Sequence, residues 1–283
     1  MTDSAIATPE GISRTDDAAR LDVVTIAAMA IVVYLLAAII HEVLGHGLAA
    51  LAVGAPIRHV TSLDLAAETG DLSAGQQRLV AAAGCLAQFV AAGVLGLLYR
   101  RLAASLSDNG RYFLWLLTLI NVLIPAGYLT ALSFAPFGDW NDFVADLPAP
   151  LLWRTALTLL GTAITVAAAF IGARALRPYL GSDKAPRARR ALLLTLVPYL
   201  AGSAANTLAG VLNPDGALLV LTSAAAASFG GTIFLFWTGQ FARSMAPSGG
   251  GKALTVRRST GWYALGVVAL LIYFLVLGPG IPR

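Results

Sequence analysis

Charged residues are scarce in this chain. Asp, Glu, Lys and Arg make up 12% of its 283 residues, whereas hydrophobic residues make up 58%. This is too little polar surface to cover a water-soluble globule of this length. The apolar runs are continuous and do not alternate with polar residues, which argues against a membrane β-barrel. The composition therefore predicts an all-α integral membrane protein with the lipid bilayer as its surroundings.

Cysteine and histidine are also rare. Cys85 is the single cysteine, so no intrachain disulfide can form. The chain has three histidines, too few for the chemistry of a membrane di-iron hydroxylase or desaturase. The formal charge of +4 comes from basic residues in the loops between apolar runs, where they orient a membrane protein. We therefore expect no nucleic-acid partner.

Seven charge-poor runs are long enough to cross about 30 Å of hydrocarbon as helices. They lie at Val23–Ala52, Leu79–Leu98, Phe113–Phe134, Leu151–Ile171, Ala191–Leu212, Ala217–Phe241 and Trp262–Leu277. Residues 1–20 form a polar tail whose acidic residues are untypical of a cleavable signal. Residues 21–283 are therefore predicted to form one multi-pass domain with about seven transmembrane helices.

The connections between these runs predict both orientation and local structure. Of the 19 Lys and Arg residues, 15 lie in the N-terminal tail and in alternate connections. The positive-inside rule places that side in the cytoplasm, together with the N-terminus. The protein would then lie in the cell membrane, or in the inner membrane of a bacterium. The polar connection at 55–77 has partial strand alternation, which indicates a short hairpin or loop resting against the membrane.

The segment HEVLGH lies within the first apolar run and contains His41, Glu42 and His46. Such groups are costly at membrane depth unless they are paired, bound to metal or in contact with water. In zinc proteases with a His-Glu-x-x-His helix, the histidines bind the metal and the glutamate activates a water molecule. This pattern predicts a metal site with His41 and His46 as ligands and Glu42 as the catalytic base.

The spacing of HEVLGH differs from that pattern by one residue. On an ideal helix, two histidines five residues apart would point about 140° away from each other. A widened turn of the π type would bring His41 and His46 onto one face, and Gly45 makes that distortion easier. The alternative is a regular helix with Glu42 and His46, four residues apart, as the ligands.

HEVLGHGLAA, residues 41–50, resembles the site-2 protease family of intramembrane zinc metalloproteases. The first core helix of that family carries His-Glu-x-x-His followed by small residues. The spacing His-Glu-x-x-Gly-His is itself similar to that of dipeptidyl peptidase III, a soluble zinc peptidase that the rest of the chain does not resemble. The resemblance covers roughly the first half of the chain and implies a site-2 protease-like core in the first three helices, with Zn²⁺ as the cofactor.

The resemblance also implies a third metal ligand. In the site-2 protease family an aspartate follows an Asn- and Pro-containing stretch on the third core helix. Here Asn121 and Pro125 lie on the third run and Asp139 follows it in FGDW, although the family's Leu-Asp-Gly is absent and Asp139 lies 18 residues after Asn121. Because two crossings return the chain to the side of HEVLGH, Asp139 is the predicted third ligand. The alternatives are Asp142, Asp146 and His59.

The second run loosely resembles the corresponding stretch of the family. AAAGCLAQF, residues 81–89, has Gln88 where an asparagine would be expected. Together these patterns predict an intramembrane zinc metalloendopeptidase that hydrolyses peptide bonds of a membrane-anchored protein or peptide. The alternative is a non-enzymatic metal-binding or transport protein of the membrane that retains a protease-like motif.

Overall fold

Long helices dominate the computed structural model, which describes residues 21–213, 224–247 and 253–282. The α-helices are α1 (Val23–Ile39), α2 (Leu48–Val53), α3 (Ala74–Leu102), α4 (Asp108–Leu132), α5 (Asp139–Val144), α6 (Pro150–Leu176), α7 (Lys184–Ala209), α8 (Phe234–Ser244) and α9 (Thr260–Ile272). Segments of π geometry lie at Ile40–Gly47, Ala226–Gly230 and Tyr273–Leu277, and 3₁₀ turns at Arg177–Tyr179 and Gly210–Leu212.

Six of the described helical segments are long and apolar enough to cross a membrane. They are Val23–Val53, Ala74–Leu102, Asp108–Leu132, Pro150–Tyr179, Lys184–Leu212 and Thr260–Leu277. This agrees with a helical multi-pass membrane protein. The predicted run Ala217–Phe241 is described only in part, because residues 217–223 lie outside the described residues. The count of seven transmembrane helices therefore stays a prediction.

Helix α1 lies at the centre of the bundle and packs against α4, α7 and α9. Its buried Met29, Val33 and Tyr34 join apolar side chains of α4, α6, α7 and α8 in the main hydrophobic core. Glycine allows the close approach of α7, because a Cβ on Gly202 would lie 2.2 Å from the Tyr34 ring. Small residues at such crossings are typical of helix packing in membranes, where van der Waals contact replaces hydrophobic burial.

A small sheet covers one end of the bundle. Strands β1 (Ile57–Val60) and β2 (Leu65–Ala67) form an antiparallel hairpin, the first of the two forms, hairpin or loop, predicted within residues 55–77. Strand β3 (Ile281–Pro282) pairs antiparallel with the other edge of β1, and the sequence analysis did not predict it. The sheet order β2-β1-β3 leaves β2 at an edge.

The opposite end of the bundle, which we call the basic end, carries Arg187 and Arg190 at the start of α7. The Arg187 guanidinium is buried and donates hydrogen bonds to the carbonyls of Gly181, Ala242, Arg243 and Met245 at 2.7–3.2 Å. Arg190 donates to the carbonyls of Tyr179 and Leu254. Arginine thus satisfies carbonyl groups that the ends of helices leave without partners.

Candidate metal centre

The π segment Ile40–Gly47 places His41 and His46 side by side. Their Nε2 atoms lie 3.1 Å apart and their ring centroids 4.8 Å apart. The hydrogen bonds of a π turn join residues i and i+5, so the wider turn brings side chains five residues apart closer to one face than an α-helix does. The predicted π-type distortion is therefore confirmed.

Two glycines let this segment lie against α3. A Cβ on Gly45 would be 2.4 Å from the Gly84 Cα, so the two backbones are in direct contact. A Cβ on Gly84 would be 2.4 Å from the His46 Nε2 atom and 2.6 Å from the His41 Nε2 atom. The space in front of both imidazoles therefore exists only because residue 84 has no side chain.

Hydrogen bonds on the far side of each ring fix its orientation. The His46 Nδ1 group donates to the Val80 carbonyl at 2.7 Å. The His41 Nδ1 atom lies 3.0 Å from the Gln88 Oε1 atom, and the Gln88 Nε2 group donates to the Ala37 carbonyl at 3.3 Å. The amide oxygen of Gln88 is therefore the acceptor and His41 the donor. With a proton on each Nδ1, both Nε2 atoms keep a lone pair that faces the centre.

The short helix α5 brings Asp139 to these two rings. Gly138, just before it, has φ 83° and ψ 172°, a backbone conformation open essentially to glycine alone. Trp140, just after it, is buried against Ala82 and Cys85 of α3. The turn and the indole together hold α5 against α3, so that the Asp139 carboxylate faces His41 and His46.

Arg154 of α6 fastens the loop that leads to α5. Its guanidinium donates to the Ser133 carbonyl at 2.6 Å and to the Asn141 Oδ1 atom at 2.9 Å. A planar guanidinium can hold two acceptors in a fixed geometry. Arg154 therefore joins the end of α4 to α5 on either side of Asp139.

The three side chains form a compact set of acceptor atoms. The Asp139 Oδ2 atom lies 3.2 Å from the His41 Nε2 atom and 3.5 Å from the His46 Nε2 atom. Zinc–ligand bonds of about 2.0–2.1 Å in a tetrahedron place neighbouring ligand atoms about 3.3 Å apart. The spacing of the three atoms fits one such ion, and this group could hold a metal.

The electrostatics of Asp139 agree with that arrangement. Burial alone would raise the pKa of the Asp139 carboxyl, but in the absence of a metal the imidazoles of His46 and His41, when protonated, lower it below its usual range. The carboxylate form is thus favoured where a ligand oxygen is needed, since only the ionised carboxyl offers both oxygens as acceptors.

Glu42 lies beside the three-residue group without belonging to it. It is 7% exposed and lines two cavities. The larger one, which we call the outer cavity, has a volume of about 320 Å³ and is also lined by Asp139, Asp142 and the edge strand residue Leu65. The smaller one, the inner cavity, lies within the bundle. A carboxylate that lines two cavities and lies beside a group that could hold a metal is placed to exchange protons with a molecule bound there.

The other candidates lie apart from this group. Asp142 lines the outer cavity but is not one of the three clustered residues, and neither is Asp146. His59 is in β1, with its Nε2 atom 3.8 Å from the Asp64 Oδ2 atom. The geometry that pairs Glu42 with His46 as ligands fits a regular helix, and the π segment replaces that helix here.

Sequence reasoning missed several residues that shape the centre. Gly84 and Gln88 were noted only for a loose resemblance, and their spacing of four residues in a helix was the signal that they share a face. Tyr128 was missed altogether. Its ring centroid lies 6.3 Å from that of His41, and it lines both cavities. Asn121, by contrast, donates to the Leu117 carbonyl within α4, a contact internal to the helix.

Comparison with protein-family models, with curated proteins and with solved structures found no match to this chain.

Proposed function

We propose that this protein is an intramembrane zinc metalloendopeptidase related to the site-2 proteases. The observation that carries the proposal is the convergence of His41, His46 and Asp139 beside Glu42, within helices apolar enough to span a membrane. Two imidazoles and a carboxylate are a ligand set that zinc accepts, and three protein ligands leave one coordination position open, as in catalytic zinc sites.

Glu42 is the general base in this proposal. When bound, zinc supplies Lewis-acid polarisation of a carbonyl group and lowers the pKa of a water molecule. Glu42 takes a proton from the attacking water at its carboxylate and passes it to the amide nitrogen that leaves. Gln88 and the Val80 carbonyl keep the proton of each imidazole on Nδ1, so that the Nε2 atoms remain ligands.

The substrate in this proposal is a membrane-anchored protein or peptide. The outer cavity offers hydrogen-bond partners to polar groups of a substrate. Its lining includes Asp64, Thr69, Gln77 and Asp142. An extended segment of a substrate needs such polar partners, because its peptide groups have lost their helical hydrogen bonds. The distribution of basic residues further leads us to propose a cytoplasmic N-terminus. A reporter fused after Asp183 should then report the cytoplasm.

The test combines metal content with peptide cleavage on the purified full chain. Glu42→Gln should lose hydrolysis by at least about 1,000-fold and keep its zinc, because the amide cannot accept the proton but leaves the ligands in place. Asp139→Ala should lose both zinc and activity, and Asp146→Ala, an acidic residue outside the cluster, should keep both.

Three results would contradict the proposal in different ways. Zinc loss in Glu42→Gln equal to that in a His41→Ala variant would make Glu42 a ligand. Full zinc and activity in Asp139→Ala would remove Asp139 from the site. Stoichiometric metal in the wild type without cleavage of any membrane-anchored substrate would favour a metal-binding or transport protein.

A further inference from the structure

The inner cavity and the outer cavity are both lined by side chains of the reaction centre. It has a volume of about 50 Å³, against about 320 Å³ for the outer cavity. His41 and Glu42 line both cavities. A molecule bound at the centre therefore has a wide space and a narrow space within reach.

Short side chains and one isoleucine limit the inner cavity. Ala38 of α1 lies one helical turn before Glu42, Ile124 comes from α4 and Ala227 comes from the π segment at 226–230. Ile124 has the largest side chain of these three, and the two alanines contribute only a methyl group each. Substitution at these positions should therefore change the size of the cavity.

A hydrogen-bonded network joins three further lining residues, Tyr34, Asn206 and Ser228. The Asn206 Nδ2 group donates to the Ser228 Oγ atom at 2.7 Å, and the Tyr34 hydroxyl lies 2.7 Å from the Thr232 Oγ1 atom. Ser203 donates to the Ser228 carbonyl at 3.1 Å. Buried networks of this kind resist rearrangement, because moving one member leaves the others without partners. The cavity is therefore expected to select by size rather than adapt to its occupant.

The volume limits what can enter. A buried water needs about 10–15 Å³ of such space, so about 50 Å³ corresponds to about three to five non-hydrogen atoms. Part of the space must hold the backbone of the bound segment. A side chain of about three non-hydrogen atoms or fewer remains possible, which means glycine, alanine, serine, cysteine, threonine or valine.

We propose that the inner cavity is the specificity subsite for the residue on one side of the scissile bond and restricts it to small side chains. This inference rests on the proposed peptidase function, since the inner cavity is assigned to part of a substrate that reacts at Glu42. The outer cavity takes the other side of the bond, where size is much less restricted. Ile124 is one of the residues that line this subsite, and a smaller side chain there should relax the limit.

The experiment is cleavage of a library of membrane-anchored peptides by the purified zinc-loaded wild type in detergent. The library varies the residues on both sides of the cleaved bond, and mass spectrometry identifies the products. We expect one flanking position to carry small residues, with alanine cleaved at least about tenfold faster than leucine or phenylalanine there. The other flanking position should accept large residues.

Two variants locate the restriction. Ile124→Ala removes three carbons from the cavity wall and should raise cleavage with leucine at the restricted position by about tenfold relative to alanine. Ala38→Val adds two carbons and should narrow the preference to glycine and alanine. Val122→Ala on α4 and Ala27→Val on α1 make the same kind of change away from the cavity and should keep the wild-type profile.

The outcomes separate this inference from the proposed function. Equal cleavage with small and large residues at both flanking positions overturns the inference and leaves the peptidase intact. A size preference that Ile124→Ala and Val122→Ala change equally also overturns it. If a zinc-loaded wild type cleaves no member of the library, the proposed function is wrong, and the subsite assignment is then wrong as well. The cleavage preferences of the wild type test the size restriction even if Ile124→Ala does not fold.

Discussion

The two ends of the bundle bury polar groups in opposite ways. At the basic end, the guanidinium groups of Arg187 and Arg190 donate to backbone carbonyls. At the other end, the Nε2 atoms of His41 and His46 and the carboxylate of Asp139 bring acceptors together. The first arrangement pairs donors with acceptors of the protein, whereas the second brings together acceptor atoms that could hold a metal ion. The difference is the one expected between a structural cluster and a candidate binding site.

The largest effect is expected from Gly84→Ala, at the end of the bundle that holds His41, His46 and Asp139. The added methyl group would lie within 2.6 Å of both Nε2 atoms, so we expect the loss of stoichiometric zinc and of hydrolysis. Metal analysis of purified protein and a cleavage assay measure this. Gly93→Ala on the same helix adds its methyl group where nothing lies within 4 Å, and it should keep both properties. Full zinc in Gly84→Ala would show that the ion does not lie in front of these rings.

Arg187→Ala tests whether the basic end is structural only. It leaves four carbonyls without their donor, and each unsatisfied buried acceptor costs about 1–3 kcal/mol. We expect a lower midpoint of thermal unfolding in detergent, with zinc stoichiometry unchanged below that midpoint. The exposed Arg189, changed to alanine, is the control. If zinc left Arg187→Ala while the protein was still folded, the two ends would not be independent.

Gln88→Leu should weaken zinc binding without abolishing it. It removes the acceptor for the His41 Nδ1–H group, and loss of such a partner typically costs about 10–100-fold in metal affinity. Titration against a competing chelator measures the change. Gln88→Glu keeps an acceptor oxygen at the same distance along the chain and should bind zinc more tightly than Gln88→Leu. Equal affinities for the two variants would mean that Gln88 does not orient the ligand.

The smallest effect concerns Asp22, which caps α1 near the basic end. Its Oδ1 atom accepts from the Thr25 N–H at 2.7 Å and from the Tyr263 hydroxyl at 2.8 Å. Partial burial alone would raise the pKa of Asp22, but these hydrogen bonds and Arg258 lower it below its usual value.

Because the folded pKa is the lower one, the stabilisation is complete above the unfolded pKa and is lost as the pH falls through the folded value. Asp22→Ala should cost about 1 kcal/mol of unfolding free energy near pH 7. The difference in unfolding free energy between this variant and the wild type should be smaller in acid. Unfolding curves at pH 7 and pH 3 would measure it. A difference that grew in acid would contradict this assignment.

The sequence predicted those parts of the site that local patterns encode. The five-residue spacing of HEVLGH and the glycine before His46 predicted the π segment, and the order of apolar runs predicted that Asp139 would return to the histidines. The alternation within 55–77 predicted the hairpin. Each of these predictions uses residues that are neighbours in sequence or a simple count of crossings.

Other contacts could not be predicted because they join distant segments. Nothing near Arg154 indicates that its guanidinium would reach Ser133 and Asn141. A two-residue strand such as β3 is too short for periodicity to be visible. Gly84 is one small residue among many in α3, and its importance appears only when both imidazoles are in front of it.

The contact between Gly45 and Gly84 has a consequence for how the ion would be acquired. Backbone contact, the Val80 carbonyl, the Gln88 amide and the Arg154 guanidinium hold the three ligands through protein atoms. Packing therefore holds the ligands in place, and the free energy of metal binding is not needed to stabilise the fold. In zinc fingers, by contrast, binding and folding are one event. Metal loading would be a separate late step of maturation, reversible in a protein that stays folded.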